Sequence, residues 1–354
     1  MNNTYLIPAN TKSGKLILGM FKPFDLIFFK VINILEIIAL YAPKVIVIIP
    51  KINIINIIIY YSIIYLYLNT YNKKYLLIII LHIIIYKNIN NYINDNTYIY
   101  YLDVKQGDSI VIKHKNKTIL IDTGGKQSFK EKEEWKTKKE YYYIDNTITF
   151  LKSIGSTKIN YYITTHGDFD HMGEAINLVN NFKVEKVIFN CGEFNNLEKN
   201  LRKVLEQKKI KYYSCIKELN INDNTLYFLN NKDYGNENDN SSVIYTKLKN
   251  HKFLFMGDAG VKVEEDLIEK YNLKDIAVLK VGHHGSKTSS SEEFIDEINP
   301  KFSIISVGKN NRYGHPNKEV INVLENSKIY RTDQDGSIMF KIKNNKLKIN
   351  TYSP

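Results

Sequence analysis

"TTHGDFDHMGEA", residues 164–175, places two histidines and two aspartates within six positions, His166 to His171. The run before it, "INYYI" at 159–163, is apolar and β-prone, and the residues after it, "MGEAINLV", read as the start of a helix. The cluster therefore falls on a turn at the end of a strand, where loops of α/β proteins carry their chemistry. Three further acidic or histidine-bearing turns follow strand-like runs: Asp122 in "LIDTGG", Asp258 in "FMGDAG", and His283 with His284 in "KVGHHGS". His315 in "RYGHP" is a fifth candidate. Imidazoles and carboxylates brought to one edge repel or desolvate one another unless a cation compensates them, so the pattern points to metal binding. Mixed nitrogen and oxygen donors suit zinc or manganese, as one or two ions. Taken singly, "LIDTGG" and "GDAG" are ordinary turns. His114 and His251, beside lysines on strand edges, read as surface residues, and His82 as a packing residue.

Around these turns the chain reads as α/β from about residue 98 to the end. "YIYYLDV", "SIVIKH" and "KTILIDTGG" are strand-like, separated by "KQGD" and "KNK", and residues 126–140 form a solvated Lys/Glu-rich loop. Helical and strand patterns then alternate through "GEAINLVNNF", "VEKVIFN", "NNLEKNLRKVLEQKK", "KFLFMGD", "VEEDLIEKY" and "IAVLKVG". Strand pairs mixed with helices predict sheets packed under helices, not a purely parallel doubly wound sheet.

Residues 1–97 differ in character. "INIINIIIYYSIIYLYL" (52–68) carries no charge and is long enough to span a bilayer when its flanks snorkel. "YLLIIILHIIIY" (75–86) is a short, marginal span, and "FDLIFFKVINILEIIALY" (24–41) suits an interfacial helix. A buried helical hairpin is the bland alternative. The formal charge is +12, too modest to prove a nucleic-acid partner though compatible with one. Lysines flank both sides of the apolar runs, so they do not fix an orientation. The only cysteines, Cys191 and Cys215, give no disulfide framework and read as two core thiols.

The cluster with "LIDTG", "GDAG" and "HHGS" resembles the metallo-β-lactamase fold. "YLDVKQGDSIVI", "ITTHGDFDHMG", "FMGDAG", "VLKVGHHGSKTSSSEEFIDEINPKFSIISVG", "NRYGHPNKEVI" and "YRTDQDGSIMF", in order across nearly all of residues 98–345, resemble the C-terminal domain of the ComEC family of competence proteins. Residues 1–97 resemble the last helices of that family's membrane domain, the rest of which is absent. The resemblance implies an αββα sandwich over residues 98–354, preceded by an all-α membrane segment over 1–97. It implies that His166 and Asp168 serve one metal, Asp170 and His171 the other, with Asp258 bridging and His283 completing the second site. Asp122 would support the motif loop. Asp170 would accept a proton, and His284, His315, Ser286, Lys287, Thr288 and Ser289 would hold phosphate oxygens. Asp168 stands where the fold usually has a histidine, which favours manganese over zinc. No histidine lies between residues 172 and 250 to complete the first site, and Asp239 or Asn240 is nearest in sequence to that place.

The implied function is hydrolysis of DNA phosphodiesters during DNA uptake, in a multi-pass cell-membrane protein whose hydrolase domain lies on the outer face. The implied partners are DNA, membrane lipid and other DNA-uptake proteins that supply the missing channel part. Two rivals remain: a small-molecule hydrolase of lactams, lactones or thioesters, and a non-catalytic DNA-translocation component.

Overall fold

Alternation of apolar residues along short runs sets the architecture, because successive side chains of a strand face opposite sides. The computed structural model describes residues 54–75, 77–79, 81, 82, 85, 96–125 and 143–352. In chain order its helices are α1 (Ile54–Thr70), α2 (Tyr143–Ser153), α3 (Phe169–Met172), α4 (Ala175–Asn181), α5 (Asn196–Gln207), α6 (Val261–Lys270), α7 (Glu292–Ile298), α8 (Lys318–Val323) and α9 (Thr332–Asp335). One mixed sheet holds β1 (Thr97–Tyr101), β2 (Ile110–His114), β3 (Lys117–Ile121), β4 (Tyr161–Ile163), β5 (Lys186–Phe189) and β6 (Lys211–Ser214). The second holds β7 (Glu218–Ile221), β8 (Asn224–Phe228), β9 (Ile244–Leu248), β10 (His251–Phe255), β11 (Val278–Lys280), β12 (Phe302–Ile305) and β13 (Lys328–Arg331). The hairpin β14 (Ser337–Lys343) and β15 (Lys346–Tyr352) returns to the first sheet beside β1, in the order β15-β14-β1-β2-β3-β4-β5-β6.

Alternate residues of both sheets meet in one core. Ile99, Tyr101, Ile110, Ile112, Ile119 and Ile121 of the first sheet belong to the same buried cluster as Leu226, Phe228, Ile244, Phe253 and Phe255 of the second. Residues of opposite phase face outward. Leu254 and Leu279 pack with Val263 and Leu267 of α6 and with Phe294 and Ile298 of α7. On the far side Leu120, Tyr162 and Val187 are buried, as are Ile144 and Leu151 of α2, Leu178 of α4 and Leu201 of α5. The layers therefore run helix, sheet, sheet, helix. Strands β3 to β6 are parallel to one another, and so are β10 to β13. Two parallel blocks in a sandwich leave their carboxyl ends as the natural place for a site.

Two expectations are corrected, and a third finds no support among the described residues. Cys191 and Cys215 form a disulfide, with Cα atoms 4.5 Å apart. Register explains it: Phe189 of β5 pairs with Ser214 of β6, so both cysteines lie just past the ends of neighbouring strands. His114 is buried rather than superficial, with Nδ1 2.7 Å from Thr97 Oγ1 and Nε2 2.7 Å from the Asp223 carboxylate in the β7–β8 turn. Finally, among the described residues no helix is long and apolar enough to cross a membrane. Helix α1 has 17 described residues, Ile54–Thr70. The all-α membrane segment therefore has no spanning helix among those residues. Stretches 24–41 and 126–140 lie outside them, and 75–86 is described only in part.

Replacing both Cys191 and Cys215 by serine reopens a loop closed over a sequence separation of 24 residues. Urea unfolding of this variant is expected to show a loss of about 3 kcal/mol relative to the oxidised protein, and an unchanged midpoint would contradict a stabilising bridge.

Candidate metal centre

Asp122 follows β3, residues 164–171 follow β4, Asp258 follows β10, and His283 and His284 follow β11. Their side chains converge because the sheets end on one edge. Asp122 organises the first-sheet half. It accepts hydrogen bonds from the Thr165 backbone N–H (2.8 Å), the Thr165 hydroxyl (2.6 Å) and His171 Nδ1 (2.8 Å). The chain approaches closely here: a Cβ on Gly107, at φ +126°, would sit 2.1 Å from the Asp170 carbonyl oxygen. Only glycine fits.

Each central imidazole has its Nδ1 occupied. His171 Nδ1 donates to Asp122, and His284 Nδ1 donates to the Ser306 carbonyl at 2.8 Å. His166 Nδ1 lies 3.2 Å from both the Thr165 and Ser241 hydroxyls. With Nδ1 protonated, the Nε2 lone pairs are left to face the interior of the cluster. His171 Nε2 is 3.3 Å from His284 Nε2 and 3.1 Å from Asp258 Oδ1, and His284 Nε2 is 3.3 Å from Asp170 Oδ2. His166 Nε2, buried and 3.6 Å from Asp168 Oδ2, has no hydrogen-bond partner. Asp258 Oδ1, despite its closeness to His171, has no aligned donor either. Ligand atoms of His166, His171 and Asp258 lie within 4.8 Å of one another, and so do those of Asp170, His171 and His284.

The electrostatics match a cation site. Burial alone would lower the His171 pKa, but the charges of Asp258 and Asp122 outweigh it and raise it well above the usual imidazole value. His284 is raised in the same way by Asp258, Asp170 and Asp108. Burial opposes ionisation of Asp258 and Asp170 too, yet the neighbouring imidazoles hold both carboxyls below their ordinary range. Protons on His171 and His284 thus neutralise the carboxylates, and a divalent ion can take their place. Orphaned buried donor atoms, lone pairs aimed at one another and a mixed N/O donor set all fit manganese or zinc.

A cavity of about 550 Å³ opens over the cluster, lined by Asp168, Asp170, Asp258, His283, His284 and His315 among others. No lysine or arginine is among its described lining residues. The two adjacent histidines exchange the places that the sequence reading gives them. Left-handed backbone at His283 (φ 44°) and His284 (φ 52°) turns His284 into the cluster. His283 stays at the rim, its Nε2 3.9 Å from Asp258 Oδ2 and its Nδ1 3.0 Å from Thr288 Oγ1. Of the expected phosphate contacts, His284 and His315 line the cavity, whereas Ser286, Lys287, Thr288 and Ser289 are not among its described lining residues. Ser289 Oγ donates to the Gly282 and Ser286 carbonyls, Ser286 Oγ lies 3.0 Å from Thr288 Oγ1, and Lys287 is exposed. These hydroxyls hold the loop that carries the histidines.

Asp239 and Asn240 do not complete the first site. Asp239 accepts from the Gly260 N–H at 2.9 Å, and Asn240 bonds to the Tyr234 N–H and to Asp233. Two residues that the sequence reading missed do reach the cluster. Asp108 and Lys280, 1% and 0% exposed, form an ion pair, and Lys280 Nζ also donates to the Gly257 carbonyl. Asp108 Oδ1 lies 3.7 Å from His284 Nδ1. The visible signal was a lysine inside the apolar strand "IAVLKVG". Asp108, in "KQGD", gave only a turn.

Comparison with known proteins fits this geometry. The metallo-beta-lactamase superfamily model matches residues 102–309. The chain belongs to that superfamily. It is 34% identical over 266 residues to ComE operon protein 3 of Bacillus subtilis (strain 168), covering 72% of this chain and 34% of that protein. It is 27% identical over 250 residues to competence protein ComA of Neisseria gonorrhoeae, covering 67% of this chain and 31% of that protein. Recombination protein 2 of Haemophilus influenzae is 39% identical over 92 residues, 26% of this chain and 11% of its own length. The chain spans about a third of the length of the first two relatives.

Asp122→Asn should weaken manganese binding by about 10- to 100-fold in titration calorimetry, because the amide cannot accept all three bonds that orient His171 and Thr165. The raised pKa values of His171 and His284 set the pH dependence. Below those values a proton must leave for each nitrogen that binds metal. Affinity should therefore rise with pH, and a flat profile would argue against these imidazoles as ligands.

Proposed function

We propose that this chain is a metal-dependent nuclease of DNA uptake that hydrolyses phosphodiesters in DNA at the outer face of a cell membrane. The observation that carries the reading is the cluster of His166, His171, His284, Asp170 and Asp258 beneath a cavity with no lysine or arginine among its described lining residues. An anionic phosphodiester has no reason to enter so acidic a cavity unless divalent ions are bound there. The relatives named for competence support DNA as the substrate.

His166, Asp168 and Asp258 would hold one ion, and Asp170, His171 and His284 the other, with Asp258 shared. Bound manganese or zinc supplies Lewis acidity toward the phosphoryl oxygens and acidifies water. The protein groups do the rest. Asp122, Ser241 and the Ser306 carbonyl fix the imidazole tautomers. Asp170, held ionised, accepts a hydrogen bond from the attacking water and orients it. Burial, then the charges of His284 and His283, lowers the His315 pKa, so this imidazole is neutral near pH 7. Its Nδ1, buried without a hydrogen-bond partner, takes the proton that the water gives up.

The disulfide supports the outer face, since such bonds persist in oxidising compartments. Exposed Ile58, Tyr61, Tyr65 and Leu66 on the charge-free α1 support contact with membrane lipid. The division into a membrane-facing part (1–97) and a hydrolase domain (98–354) belongs to the same proposal, as do further DNA-uptake proteins that supply the channel.

The test incubates labelled single- and double-stranded DNA with the full chain and manganese or zinc, beside the Asp170→Ala, His171→Ala double variant. Cleavage should fall by more than about 100-fold in the variant. Binding without cleavage in any divalent metal would favour a translocation component, a reading that the sparse donor set around His166 favours. Cleavage only of a lactone or thioester would replace the nuclease with a small-molecule hydrolase.

A further inference from the structure

The metal cluster does not account for the whole cavity. Its outer wall carries Tyr313, a residue 54% exposed. Asn311 clasps that loop from within. Its Nδ2 donates to the Gly308 and His315 carbonyls (3.1 and 2.6 Å), and its Oδ1 accepts from the Tyr313 and His315 backbone N–H groups (3.2 and 3.0 Å). Four hydrogen bonds from one side chain thus fix the backbone that presents the aromatic ring to solvent. The exposure is built in and does not come from a fraying end.

One face of Tyr313 is already covered. Its ring stacks on His315 with centroids 5.8 Å apart and planes 26° from parallel. His315 lies 5.7 Å from His283, and His283 6.4 Å from His284, whose Nε2 faces the carboxylates. A run of rings therefore leads from the buried cluster to the cavity mouth and ends on an aromatic face with no further ring upon it among the described residues. Phe169 and Leu197 add apolar surface to the same cavity, and Gln106 and Asn196 add amides. Gln106 Oε1 accepts from the Gly308 N–H at 3.2 Å, which ties its side chain to the base of the Tyr313 loop. A wall of one exposed aromatic, apolar neighbours and amides is poorly suited to a phosphate. It suits a flat heteroaromatic ring that stacks on one face and hydrogen-bonds at its edge.

We propose that Tyr313 is the base-stacking residue of this site, seating the nucleobase beside the scissile phosphate while the histidine and aspartate floor holds the phosphate itself. The inference rests on the phosphodiesterase reading above and narrows its substrate: the cleaved strand must offer an unpaired base, since a base inside a duplex has no free face for Tyr313. Base stacking is tolerant of sequence, so little preference among the four bases is expected.

The experiment uses the full chain with two probes, single-stranded trithymidylate and its analogue with the central base removed. Binding is read by fluorescence anisotropy in calcium, and cleavage is read in manganese. The unsubstituted protein should prefer the intact trinucleotide by roughly tenfold, the loss expected for one base–aromatic stack. Tyr313→Ala should abolish that preference, whereas Tyr313→Trp should keep it. A Tyr313→Ala protein that still discriminates, or that loses both probes equally, overturns the proposal by making the ring a merely structural one. Preference in calcium that depends on Tyr313, without cleavage in manganese or zinc, overturns the nuclease reading but not the stacking. Cleavage whose preference ignores Tyr313 does the reverse, and binding of neither probe overturns both.

Discussion

Everything at the working edge of this protein depends on how buried negative charge is compensated. Asp108, Asp122 and Asp258 are each no more than 3% exposed, and an isolated carboxylate in such a place is strongly disfavoured. Each has a different remedy. Asp122 is satisfied by three hydrogen bonds from the motif loop. Asp108 pairs with Lys280, and because Asp108 precedes β2 while Lys280 ends β11, that ion pair joins the two sheets behind the cluster. Breaking such a pair from one side strands the other charge, at a cost of about 3–5 kcal/mol. Asp258 has only imidazoles, which makes it the place where a proton or a metal ion is required. The sandwich needs the edge neutral, and the chemistry needs it neutralised by something exchangeable.

How much of this the sequence reveals depends on whether a residue's role is local. The turns "HGDFDH", "GDAG" and "HHGS" are legible because each sets charged donors beside glycine at the end of an apolar run, and strand ends are where parallel blocks gather their loops. The order of His283 and His284 is not legible. The two neighbours carry the same letter, and a left-handed turn decides which one faces inward. Asp108 and Lys280 are hidden for another reason: each looks misplaced until the other sheet is known to bring its partner. The disulfide needs the β5–β6 register, and β6, "KYYS", is too short and exposed to announce itself as a strand. His114 similarly depends on Asp223, more than a hundred residues later, in a hairpin whose polar strands carry little pattern.

Depth within the cavity also sorts the histidines by chemistry. His171 and His284, on the floor, are surrounded by carboxylates and pushed toward the charged form. His283 and His315, nearer the mouth, are lowered first by burial, with the charge of His284 adding to it at both and Asp258 opposing it. The same four side chains therefore serve two purposes. The inner pair balances the carboxylates, and the outer pair is held toward the neutral form. A divalent ion that takes the place of the protons on His171 and His284 leaves the charge beneath the outer pair about unchanged. The exchange of protons for metal therefore leaves the rim imidazoles in the neutral form that burial favours, with His315 stacked on Tyr313. The different states of the four histidines are in this way consequences of a single gradient of burial and charge from the buried edge to the surface.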